Sequence, residues 1–119
     1  MTTEQIAGRL KELCDQGLFE EALKELFSPD AESIEPYETP DFARVTKGIE
    51  AILGKGKKWN EMVTERHGFE ISEPLVANDS FALTMHIDVT MKGGKRMNHK
   101  ELCIYAISKG KIVSEQFFM

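Results

Sequence analysis

Up to about residue 65 the apolar positions of the chain recur at helical intervals, and from His67 onward they recur at every second position. Ile6, Leu10, Leu13 and Cys14 mark one side of a first helix, which Thr2 and Gln5 open with capping-box spacing and Gly17 can close in a left-handed cap. Phe19, Ala22, Leu23, Leu26 and Phe27 mark a second helix, which "SPD" stops because proline lacks the amide proton and disfavours helical geometry at Ser28. "AESIEP" then reads as a short strand, with Glu35 directly before Pro36, and "YETPDFARVTK" as a proline-punctuated loop. A third helix is expected from about Gly48 to about Glu65, with Ile49, Ile52, Leu53, Met62 and Val63 on one side. Its "GKGKK" follows no strand and lacks phosphate-loop spacing, so it reads as a solvated lysine face.

The second half reads as strands. "FEISEPLVA" is expected as one strand and "SFALTMHIDVTM" as another, with Phe81, Leu83, Met85, Ile87, Val89 and Met91 on one face and Thr84, His86, Asp88 and Thr90 on the other. Gly93 and Gly94 suit a hairpin turn, after which "NHKELCIYAI" returns and "IVSEQFFM" closes the sheet. Two registers stay open. A two-residue turn puts Asp88 opposite His99 and His86 opposite Glu101, so that His86, Asp88, His99, Glu101, Cys103 and Tyr105 share a surface. A three-residue loop with a bulge instead brings Met85 and Ile87 beside Cys103 and Glu101, an apolar pocket holding one acid.

Helices followed by an antiparallel meander predict an α+β domain, three helices packed on a curved, mostly antiparallel sheet that forms a cone with an internal pocket. A chain of 119 residues fits one such domain, residues 1–119. Lys and Arg total 15 against 20 Asp and Glu, and the net charge of −5 repels a phosphate backbone, which argues against nucleic acid. No apolar run reaches the ~20 residues of a membrane span, and "MTTEQIAGRL" lacks signal-peptide character, so a cytoplasmic protein with no membrane partner is expected. Cys14 and Cys103 have no metal or redox spacing and read as two reduced thiols.

The order of elements, together with "LFSPDAESIEP", "KGIEAIL" and "SKGKIVSEQFF", resembles the SnoaL-like family of the nuclear transport factor two-like superfamily, which also holds ketosteroid isomerases. The resemblance covers nearly the whole chain. In the isomerases an aspartate before proline at the end of the first strand is the base that moves a proton next to a carbonyl, and the resemblance places Glu35 there. It places Leu10 or Lys11 where the isomerases have an oxyanion-stabilising tyrosine, and Cys103 where they have an acidic donor. Neither replacement supplies such a donor, since a thiol is a weak one. The superfamily also implies a homodimer through the outer sheet face, a small apolar organic ligand and no cofactor.

The candidate catalytic residues are therefore Glu35 as base, with Glu101 or Asp88 as its acidic counterpart; carboxyl groups crowded in a partly dry cavity raise one another's pKa. The candidate ligand-binding residues are Trp59, His86, His99, Cys103 and Tyr105. Each has a plainer role. Glu35 can end a strand in solvent, His86 and Glu101 can be a surface pair, and Trp59, Cys103 and Tyr105 can be core. His86, Asp88 and His99 have metal-ligand chemistry without a ligand motif, so no metal is expected. The function implied is proton transfer beside a carbonyl by an isomerase, cyclase or dehydratase; the alternative is a ligand-binding or dimerisation module of the same fold without turnover.

Overall fold

The computed structural model describes residues 1–119. Helix α1 (Thr3–Asp15) starts at a complete capping box: the Gln5 amide N–H donates to the Thr2 hydroxyl at 3.1 Å, and the Gln5 side-chain oxygen accepts from the Thr2 N–H at 2.9 Å. It buries Ile6, Ala7, Leu10, Leu13 and Cys14, and the chain leaves it through Gly17 at φ +74°. Helix α2 (Phe19–Leu26) leads directly into strand β1 (Phe27–Ile34), so "SPD" lies within the strand, and a register shift between Phe27 and Glu32 absorbs it. Part of the expected loop forms strand β2 (Val45–Lys47), antiparallel to β1.

Helix α3 (Ile49–Met62) ends earlier than its apolar pattern implies, because the β-branched pair Val63 and Thr64 opens strand β3 (Val63–Ile71). "FEISEPLVA" is not one strand. Pro74, with no amide hydrogen to donate, separates β3 from strand β4 (Leu75–Ala77), and both pair with strand β5 (Ser80–Met91). Strands β6 (Arg96–Ser108) and β7 (Lys111–Phe118) complete the sheet.

The strand order is β2-β1-β7-β6-β5-β3, with β4 also on β5; every pairing is antiparallel except β1 with β7. The three helices cover one face of this open, mixed sheet, as expected of an α+β cone. One apolar cluster joins Ile6, Leu10, Leu13, Leu26 and Ile52 of the helices to Ile71, Phe81, Leu83, Cys103, Tyr105 and Ile112 of the strands. Within it the rings of Phe81 and Tyr105 stack at a centroid distance of 4.7 Å.

The hairpin between β5 and β6 sets which residues face the helices. Its loop has three residues, Lys92, Gly93 and Gly94, closed by Met91 N–H donating to the Lys95 carbonyl at 2.8 Å, with both glycines at positive φ. Met85 therefore faces Glu101, Ile87 faces His99, Leu83 faces Cys103 and Phe81 faces Tyr105. The two-residue pairing of Asp88 with His99 and of His86 with Glu101 does not form; Asp88 pairs with Asn98 and His86 with Lys100.

Candidate active site

Ladder pairing lines up the inner face of the sheet in rows. Ser33 of β1 lies beside Glu115 of β7, Glu115 beside Tyr105 of β6, and Tyr105 beside Phe81 of β5. In the next row Phe117 pairs with Cys103, and Cys103 with Leu83; in the row after it Glu101 pairs with Met85. Cross-strand partners share a face, so Glu101, Cys103, Tyr105, Glu115 and Phe117 point to the same side as the buried Phe81 and Leu83. Glu35 is two residues past Ser33 and keeps that direction, its N–H donating to the Arg44 carbonyl at 2.7 Å.

Lys55 of α3 ties the acids together. Its ammonium donates to Glu35 Oε2 at 2.8 Å and to Ser33 Oγ at 2.5 Å, and it lies 5.7 Å from the centre of the Phe117 ring. Ser33, fully buried, donates in turn to Glu115 Oε1 at 2.8 Å. The Lys55 and Glu35 side chains keep only 15% and 27% of their exposure, so this pair is largely withdrawn from water. The expected solvated lysine face is thus corrected at its first lysine. Lys55 follows Ile52 by three positions and shares its buried side, while Lys57 and Lys58 are exposed.

Burial and the neighbouring acids act on Glu101. Its side chain is 12% exposed, and desolvation, followed by the charges of Glu35 and Glu115, pushes its carboxyl up to about 7 against the lowering effect of Lys55. Desolvation also raises Glu115, and the hydrogen bond from Ser33 offsets part of that rise. His99 Nε2 lies 3.9 Å from Glu101 Oε2, beyond hydrogen-bond reach, and burial followed by the charge of His86 lowers its pKa below 6.5. Near neutral pH these shifts keep a substantial protonated fraction of Glu101 beside a mostly neutral imidazole.

Of the residues singled out by sequence, the inner face brings together Glu35, His99, Glu101, Cys103 and Tyr105. Cys103 and Tyr105 are core residues of its closed part; desolvation first, then nearby acids, raises both well above their ordinary values. Half-buried Trp59 follows Lys55 by one helical turn on the same side of α3. Asp88 and His86 are on the opposite face. Arg96 holds Asp88 through two bonds of 2.8 Å, which keeps its carboxyl below the usual range, and His86 Nε2 is 2.6 Å from Asn98 Oδ1. Two cavities lie apart from this group. One, of about 130 Å³, is on the outer face among Glu70, Ser72, Thr84, His86 and Lys100; the other, of about 600 Å³, runs between α2 and α3 beside Phe19, Leu23 and Leu53.

Lys55, Ser33 and Glu115 did not stand out in the sequence. The spacing from Ile52 is the signal that finds Lys55. Glu115 is masked by a register shift between Ala106 and Ile107, which puts both Ile112 and Glu115 on the inner side and breaks strict alternation.

The SnoaL-like domain model matches residues 1–119. A candidate SnoaL-like polyketide cyclase from Mesorhizobium loti, whose name also carries the label carbohydrate phosphatase, is 36% identical over 100% of both chains and superposes with a TM-score of 0.92. A nuclear transport factor two-like protein from Burkholderia thailandensis is 18% identical over 99% of this chain and 90% of its own, with a TM-score of 0.84. TerC, co-crystallised with polyporic acid, is 13% identical over 98% of this chain and 90% of its own, with a TM-score of 0.78. No curated protein matches the chain. No helix is long and apolar enough to cross a membrane.

Proposed function

We propose, starting from the fact that the chain belongs to the SnoaL-like family, that it is a small-molecule enzyme of the isomerase, cyclase or dehydratase type, moving a proton beside a carbonyl. One observation carries this reading: the helix-covered face of the sheet holds a carboxylate paired with an ammonium, Glu35 with Lys55, and a carboxyl that burial pushes up to about 7, Glu101. Two carboxyl groups with environments that differ in this way divide the work of base and acid. Glu35 takes the proton from the carbon next to the carbonyl, the C–H electron pair moves toward the carbonyl oxygen, and Glu101 delivers a proton where the new bond pattern needs it.

The ligand is a modest, largely apolar organic compound, because Leu83, Met85, Ile87 and Phe117 share the face with the acids. The names of the Mesorhizobium loti relative and of the TerC complex agree with an organic ligand in a cone of this kind. Asp88 is left out of the mechanism, since it lies on the other side of the sheet. The same chain pairs into a homodimer through its outer face, where Leu102 and Phe118, opposite each other, stand beside Ile104 with 41%, 42% and 38% of their surfaces exposed.

Solvent-deuterium exchange into a panel of cyclic ketones, followed by NMR, tests the proton transfer. Wild type exchanges the hydrogen beside the carbonyl, and Glu35→Gln loses about 10²–10⁴-fold in rate while still binding the ketone. An unchanged rate in Glu35→Gln removes Glu35 from the chemistry.

A further inference from the structure

Proton removal beside a carbonyl leaves negative charge on its oxygen, and the preorganised donor that meets this charge supplies the largest part of such catalysis. Of the residues that the resemblance places at the isomerases' donor positions, Leu10 is apolar and buried, the Lys11 ammonium is paired with Asp15, and Cys103 is a buried thiol. We infer that Lys55 is the electrophile of the site, its ammonium holding the ligand's carbonyl oxygen and receiving the charge that this oxygen gains when Glu35 removes the neighbouring proton. The inference rests on the proton-transfer reading above.

Three observations support it. An ammonium has three donors, and Lys55 uses one on Ser33 and one on Glu35, which leaves one for a ligand oxygen. The spacing also fits. A carbonyl oxygen and the carbon next to the carbonyl are about 2.4 Å apart by covalent geometry, close to the 2.8 Å between Lys55 Nζ and Glu35 Oε2. One ligand can therefore offer its oxygen to Lys55 and its hydrogen to Glu35 together.

The third observation concerns charge. In the resting site Glu35 is the counter-ion of Lys55. As the C–H bond breaks and an O–H bond forms on Glu35, the carboxylate becomes neutral while the ligand oxygen becomes an enolate. The ammonium keeps one anion beside it throughout, and no net charge enters or leaves a pair that is mostly withdrawn from water. Ser33 holds Lys55 in place while donating its own proton to Glu115, which makes Glu115 a positioning residue for the ammonium.

A dinitrophenol, ionised below the range in which Glu101 dissociates, stands in for the enolate, and its binding is read by absorbance. Glu35→Gln, which mimics the protonated base, is expected to bind the phenolate at least tenfold more tightly than wild type, and the added change Lys55→Met to abolish that gain. Lys55→Arg in the Glu35→Gln background keeps the gain because it keeps the cation, and Lys57→Met keeps it because Lys57 is a solvent-facing lysine on the same helix. The inference about Lys55 is overturned if Glu35→Gln binds the phenolate and Lys55→Met leaves that binding intact, or if Lys57→Met weakens it equally. Failure of every version to bind either the phenolate or a ketone overturns the proton-transfer reading as well.

Discussion

Glu101 stands directly opposite Met85 in the ladder between β5 and β6. That one pairing turns an acid toward the apolar side of the sheet and, by alternation, sends Asp88 to the other side. A desolvated carboxyl holds its proton more tightly in the folded chain than in the unfolded one, so folding stability falls as pH rises from the ordinary value of 4.5 to about 7. Glu101→Gln removes the titration. Relative to wild type the variant should gain stability between about pH 5 and about pH 8, by up to about 3 kcal/mol, in urea denaturation at several pH values. A difference independent of pH would show that Glu101 titrates normally.

Asp88→Asn gives the opposite test. Asp88 is bound to Arg96 on the outer face, and its depressed carboxyl contributes stability that is present above 3.8 and lost as pH falls below that value. The variant should keep ketone exchange and ligand binding, and lose a small, salt-sensitive amount of stability that disappears on acidification. A large loss of exchange activity would return Asp88 to the site.

Ser33 is the fully buried hinge of the polar group, accepting from Lys55 and donating to Glu115. Ser33→Ala leaves both partners with a bond unmade and is expected to cost about 1–3 kcal/mol in denaturation. It should also slow ketone exchange, because Lys55 loses one of the two bonds that hold it. Wild-type stability in the variant would mean that water replaces the hydroxyl without cost.

The outer apolar strip sets the expected assembly. Sedimentation of wild type at micromolar concentration should show a dimer, and Ile104→Lys, which puts a charge beside Leu102 and Phe118, should give a monomer of unchanged helix and strand content. A monomeric wild type would rule out this interface.

Much of the architecture could be read directly from the residues. The Thr2–Gln5 capping box, the left-handed Gly17 and the twofold alternation from Phe81 to Met91 each follow from local rules and each appear in the structure. The break at Pro74 follows from a missing amide proton and could have been read in the same way. The site was less legible because it depends on non-local counts. One residue more in the loop at Lys92, Gly93 and Gly94 decides whether His86 and Asp88 or Met85 and Ile87 join Glu101. The register shift at Ala106 and Ile107 then conceals Glu115, and in "GKGKK" only the three-residue spacing from Ile52 separates the lysine that reaches Glu35 from those that meet water. Glu35 was singled out through the family resemblance, which places a base directly before Pro36 at the end of the first strand.

The division of acid and base between Glu101 and Glu35 on one face is most directly tested by site-resolved carbon-13 NMR titration of Glu101, in wild type and in Glu35→Gln. A value of about 7 is expected in wild type, falling in the variant because the charge of Glu35 is one cause of the rise. A value near 4.5 in both proteins would contradict it: Glu101 would then be an ordinary ionised carboxylate at neutral pH and could not serve as the acid that partners Glu35.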